Sequence, residues 1–472
     1  MSDRRGPATL TDHATSGRGP GAGSSGPGAG SSDPGGLARS TVPSSGATRR
    51  ATVAALVVGL GAVGVVHAWG RWLQSRGARM RVNAPPLTGN VDPRVSWWCL
   101  PTLTVAACAA GGADRLARAL SWRRLMWACF AGALVWSAAL AAWDGADGFT
   151  RSSGSAVDYL AALPAIDGVG SFLRSLITET RSWPTHVQAH PPGMVLLLLG
   201  LRPLGLATPA WVAALEHVAG AASVPALLLA TREVAGERAA RAAAPFLVFS
   251  SIAIWWSSGD AVFLGMGAWA VALCVLATGR RGRRSVVLAL SGGALWAVSV
   301  FLSYGIVLLG SVPAVVAWRR ERVRVLSLAC APVAVAVGLA AMGGFWWFDG
   351  LAATREAYAL SLARVRPYHY FVVANLAAAA VAVGPAVWVG LTRVRRRGTW
   401  MIAAGALIAI GLADLSGLSE GEVERIWLPF LPWLVVAAAA AYVDASPAAR
   451  RGWLGVQLAW TVLVQALVMS PW

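Results

Sequence analysis

The chain has 472 residues, of which 56% are hydrophobic and only 13% charged, where soluble chains carry roughly a quarter charged residues. That composition excludes a soluble globular fold. The formal charge of +18 would raise nucleic acid as a partner if it were spread over a surface, but the arginines sit in short clusters between apolar runs, the mark of membrane topology, so no nucleic-acid partner is expected.

Residues 1–50 are rich in Gly, Ser and Pro and lack the apolar surface to offset ordering, so they are expected to be a disordered segment. Arg49 and Arg50 ahead of the first apolar run favour a cytoplasmic N-terminus. Residues 51–472 then read as one all-α polytopic domain of a multi-pass cell-membrane protein. Apolar runs near the roughly 20 residues needed to cross a bilayer fall at 51–69, 96–112, 124–142, 209–231, 241–256, 260–278, 285–302, 304–318, 325–344, 371–391, 400–417, 426–443 and 453–471. This predicts about thirteen transmembrane helices. Residues 192–206 are short, end at Arg202 and Pro203, and are expected to form an interfacial or re-entrant helix. Walking the spans alternately puts the clusters at Arg115–Arg124, Arg280–Arg284, Arg319–Arg324 and Arg393–Arg397 inside. Two loops, 143–191 and 345–370, are left outside, the first large enough to carry interfacial helices. The five cysteines lie in or beside apolar runs without metal-ligand spacing and imply no disulfide framework.

Candidate chemistry gathers in the outer loops. Asp144, Asp147, Asp158, Asp167, Glu179, His186 and His190 lie between residues 144 and 193 of a chain with only 22 acidic residues. A carboxylate at the membrane surface can take a proton from an acceptor hydroxyl or hold a metal beside a leaving phosphate; the plainer alternative is a solvated loop. His186 and His190 are four apart, a helical metal spacing, but Pro191 and Pro192 disfavour a helix there, so hydrogen bonding to substrate or loop is preferred. Asp260 opens a later span as either a site acid or a helix N-cap. In SEGEVERIWLPF, Arg425 beside Glu420, Glu422 and Glu424 is suited either to a lipid phosphate or to a salt bridge. Ionisable residues are expected at span ends, not within spans.

The order of these residues resembles the GT-C superfamily of membrane glycosyltransferases, in particular protein O-mannosyltransferases and lipid A aminoarabinose transferases. Asp158 and Tyr159 in AVDYLAAL match that group's loop acid, with Asp144 and Asp147 in WDGADGF as the rival position; His190-Pro191-Pro192-Gly193 matches its HPPL element, with Gly193 replacing Leu; Gly259-Asp260-Ala261-Val262 matches its Pro-Asp-Ala-Leu element. The motifs cover about 120 residues, and two spans more than usual precede the loop. GEVERIWLPF, and WWFDGLAATREAY through RPYHYF, also resemble uncharacterised actinobacterial membrane proteins of this group.

The resemblance implies a polyprenyl-phosphate-linked sugar donor, a cell-envelope glycan, lipid or protein acceptor, and inversion at the sugar carbon. It implies Asp158, Asp260, Asp144 and Asp147 as catalytic candidates and His186, His190, Arg425, Glu422 and Tyr159 as substrate-binding candidates. The cofactor is open, a divalent cation (Mg or Mn) being the candidate. The competing class is a lipid or sugar transporter, which would show internal repeats and interrupted helices at mid-membrane; no repeat is evident.

Overall fold

A computed structural model describes residues 45–472. The expected disordered segment 1–50 lies outside the described residues up to 44, and its last six residues already belong to the first helix, Ser45–Ser75. The described chain is all-α, a polytopic membrane bundle. Its one sheet is a two-residue antiparallel pair, Asn90–Val91 with Val468–Met469.

Among the described residues seven helices are long and apolar enough to cross a membrane, or up to nine if each of two bent pairs counts as one span, where thirteen were expected. Proline and polar residues account for the difference. The expected span at 371–391 turns by 105° where Gly384, at φ +82°, and Pro385 end Tyr368–Val383 and start Pro385–Leu391. The expected span at 241–256 gives only the 12-residue helix Glu237–Val248, with Pro245 inside it. Those at 304–318 and 426–443 likewise contain only short helices. Leu100–Ala119 and Pro447–Leu467 are long enough but carry charge. They share a buried bond, the Arg450 Nε donating to Asp114 Oδ1 at 3.0 Å.

The bundle is centred on Asp260–Thr278, most of which is buried, whereas the first helix is peripheral and largely exposed. Lipid tails are as apolar as leucine, so helices in a membrane associate through close packing of small residues. Gly265 of the central helix sits against the backbone of Ala219 in Pro209–Ala235, where a Cβ would lie 2.5 Å from the Ala219 carbonyl oxygen. Gly293 similarly abuts Ala329.

The two ends of the bundle differ in chemistry. At one end Arg280 and Arg320 both bind Glu233, each at 3.1 Å, and Arg320 also reaches the Thr278 hydroxyl. Asp260 lies at the opposite end of this 19-residue central helix, about 27 Å away along its axis. Helices from the segments 143–191 and 345–370 assemble at the Asp260 end. Trp347–Ala359 packs there, Thr354 Oγ1 donating to the Gln188 carbonyl and the Tyr358 hydroxyl accepting the Glu420 amide, both at 2.9 Å.

Gly265→Ala should force the central helices apart and cost about 1–3 kcal/mol, read as a lower thermal unfolding midpoint. Gly411→Ala, where an added Cβ meets nothing within 4 Å, should leave the midpoint unchanged or raised; equal effects at both positions would refute the close-packing account.

Candidate functional site

The Asp158 carboxylate is 1% exposed. It caps the short 3-10 helix Tyr159–Ala165, its Oδ1 accepting the Tyr159 amide at 2.7 Å. Its Oδ2 accepts the Nδ1–H of His186 at 2.9 Å. His186 belongs to Thr185–Ala189, and His190 leaves that helix in an extended backbone conformation, as a residue before proline must. His190 Nδ1 lies 2.9 Å from the His186 carbonyl. A carbonyl only accepts, so Nδ1 carries the proton and Nε2 is left as an acceptor. Burial pushes His190 down to about 4, which keeps its ring neutral near pH 7. Both imidazoles pack on Tyr159, at 5.7 and 5.8 Å between ring centres.

Tyr159 in turn lies against Gly259, whose lack of a side chain leaves room for the ring: a Cβ there would be 2.9 Å from it. Asp260 follows. Gly259 is the N-cap and Asp260 the first residue of the helix, and the Asp260 carboxylate makes no capping bond. It pairs instead with Nη1 of Arg425, the two side chains being 4% and 5% exposed. Arg425 Nη2 binds Glu422 Oε2 at 3.0 Å, and its guanidinium lies 4.5 Å from the ring centre of Trp472. Burial opposes the Arg425 charge, but Asp260 and Glu422 outweigh it and raise its pKa. Its Nε is buried without a partner.

The Arg425 loop is held from several sides. Asn375 Oδ1 accepts the Gly421 amide at 3.1 Å, while its Nδ2 donates to the Ser419 carbonyl at 2.7 Å and to Asp414 Oδ1 at 2.9 Å. These bonds hold Gly421 at φ +89° and Glu422 at φ +63°, the latter a sparsely populated conformation for a residue with a side chain. Glu424, which burial pushes up to about 7, accepts the Thr88 amide at 2.8 Å.

Sequence reasoning missed the Glu216–His217 pair, and its expectation of no ionisable residue within a span is corrected: both are buried in Pro209–Ala235. His217 bonds the hydroxyls of Ser137 and Ser257 at 3.0 and 3.3 Å. Glu216 is 0% exposed, neither of its oxygens has a partner, and it is in electrostatic reach of Asp158, Asp260 and Arg425. The string LEHV inside an apolar run was the available signal, since an ionisable residue within a membrane helix is functional by default.

The remaining acids stand apart. Asp144 is bound through Oδ1 by Arg94 and through Oδ2 by Arg151 at 3.2 Å. Arg94 also donates to the carbonyls of Gln465 and Val468, so this cluster clasps the C-terminal segment. Trp472 borders both this cluster and Arg425. Asp147 is exposed and makes no ion pair among the described residues. No three His, Cys, Asp or Glu side chains among the described residues converge as a metal site. Asp158 is engaged by His186 and an amide and Asp260 by Arg425, so these residues do not fit a resident divalent cation.

No family model and no curated protein matches the sequence. Among solved structures, the chain is similar to an oligosaccharyltransferase from Archaeoglobus fulgidus, crystallised with Zn and sulfate, with 16% identity and a TM-score of 0.39 over 60% of this chain and 45% of that one. The chain thus spans less than half the length of that structure.

Removing one member of a buried ion pair strands the other charge and costs about 3–5 kcal/mol. Asp260→Asn should accordingly lower the thermal midpoint by several degrees, and Asp147→Asn should leave it in place. An unchanged midpoint in Asp260→Asn would show that the ion pair adds no net stability.

Proposed function

We propose that this protein is a membrane glycosyltransferase that moves a sugar from a polyprenyl-phosphate donor to the hydroxyl of an envelope glycan, lipid or protein at the outer membrane face. One observation carries the reading. Three short motifs, Asp158-Tyr159, His190-Pro191-Pro192 and Gly259-Asp260, lie up to about a hundred residues apart in sequence and meet around the Tyr159 ring and the Arg425 ion pair.

In this reading Asp158 is the general base. His186 and the Tyr159 amide fix its carboxylate, which takes the acceptor hydroxyl proton as the oxygen attacks the anomeric carbon. The bond between that carbon and the phosphate oxygen breaks, the sugar inverts, and polyprenyl phosphate leaves with its charge. Arg425 balances that charge: its unpartnered Nε–H faces no competing acceptor, and Asp260 and Glu422 fix the plane of its guanidinium. Glu422, His190 and Tyr159 shape the sugar subsite. Asp144, held by two arginines, and the exposed Asp147 are left to structural roles. A transporter reading draws on Glu216 and His217 lying within a span, and cleavage of the donor separates the two.

Purified protein should release polyprenyl phosphate from a radiolabelled polyprenyl-phosphate sugar and pass the label to an acceptor. Asp158→Asn should reduce turnover about a hundredfold or more with the thermal midpoint retained. An intact donor in the wild type would favour transport, and a dead Asp144→Asn beside an active Asp158→Asn would move the base to the start of the loop.

Sidedness is testable in a cysteine-free background. A membrane-impermeant thiol reagent on intact cells should label a cysteine at the exposed Ala156 and miss one at the exposed Arg395; the reverse pattern would invert the topology and remove the outer-face mechanism.

A further inference from the structure

We infer that Glu216 is a substrate-recognition residue that binds hydroxyl groups of the transferred sugar; the inference rests on the donor reading above and names a contact that reading does not contain. Glu216 is fully buried in Pro209–Ala235, and neither carboxyl oxygen meets a partner. The neighbouring His217 has both ring nitrogens bonded to serines, so the helix turn is fixed while Glu216 is left unsatisfied. Buried polar groups in native proteins are nearly always paired, and one that is not marks a place kept for a ligand or for strain.

The surroundings select the class of ligand. Asp158 and Asp260 are the acids within electrostatic reach, and Arg425 is the cation. Arg425 is the group suited to the donor phosphate, and a second anion beside Glu216 would be opposed by Asp158 and Asp260 in a low dielectric. A metal ion lacks a converging third donor among the described residues. A polyol brings O–H donors to both carboxyl oxygens without adding net charge, and a sugar held between Asp158 and Arg425 brings its hydroxyls to the same place.

The test uses the full chain in lipid nanodiscs and two kinds of probe, farnesyl phosphate and farnesyl phosphate bearing mannose, glucose or galactose, titrated by tryptophan fluorescence. The wild type should bind at least one hexose-bearing probe about tenfold more tightly than farnesyl phosphate, the scale of one hydrogen bond. Glu216→Ala should erase that preference with the farnesyl phosphate affinity unchanged, and Glu216→Gln, which keeps one carbonyl acceptor, should retain part of it. The ligand-free midpoint of Glu216→Ala should hold or rise, since an unsatisfied buried group is removed.

A preference that survives Glu216→Ala overturns the inference and leaves the donor reading standing, as does a wild type that binds farnesyl phosphate but gains nothing from any hexose. A large fall in the ligand-free midpoint assigns Glu216 a structural role and overturns the inference. A wild type that binds no probe overturns the donor reading, and the inference falls with it.

Discussion

The ion pair between Arg425 and Asp260 joins two distant parts of the chain, the start of the central helix and a short loop 165 residues later. Both side chains are almost fully removed from solvent, where either charge alone would be costly and the pair together is tolerated only with further bonds. Glu422 and the Trp472 ring supply those further contacts. Without the guanidinium, Asp260, Asp158 and Glu216 would face one another in an apolar setting. The arginine therefore decides whether the acid cluster can exist at all.

That cluster depends on a scaffold built from close contacts, not from polar ones. Gly265 against Ala219 brings the helices bearing Asp260 and Glu216 to within backbone distance, and Gly220 leaves room for the Trp256 ring. Gly193 has a similar part: a Cβ there would lie 2.3 Å from the Phe301 carbonyl oxygen. This explains why the position after His190-Pro191-Pro192 carries no leucine in this chain. Rigid helices position Asp260 and Glu216, while the loop 143–191 brings in Asp158 and is tied to 345–370 through bonds such as Thr354 to Gln188.

The sequence was most informative where a physical rule acts on neighbouring residues. Apolar run length gave the class of fold, arginine clustering separated the two ends of the bundle, and Pro191 ended the histidine helix as its backbone restriction requires. It was least informative about helix number. The run at 371–391 reads as one apolar stretch, yet the Gly384-Pro385 step turns it by 105°. A hydropathy sum contains no information about direction. In the candidate site, Asp158, His186, His190, Tyr159, Asp260, Arg425 and Glu422 were all legible as polar residues beside the membrane; Glu216 was not, because it was counted as part of a span.

Composition by itself determined that this chain is a membrane-embedded all-α bundle, since a chain so poor in charge can satisfy its backbone in lipid only through helices or a closed barrel, and its runs have helical length. Partnership was decided by tertiary structure alone. Asp144 and Asp158 are equivalent in sequence, fourteen residues apart in one loop. Folding gives the first to two arginines and the second to a histidine. Asp260 reads equally well as a helix cap until a guanidinium from residue 425 takes its carboxylate. The reason is one of range: capping, periodicity and proline effects act within a few residues and are written in the local sequence, whereas the ion pairing of a buried carboxylate is fixed by whichever distant side chain the packed helices bring within bonding distance.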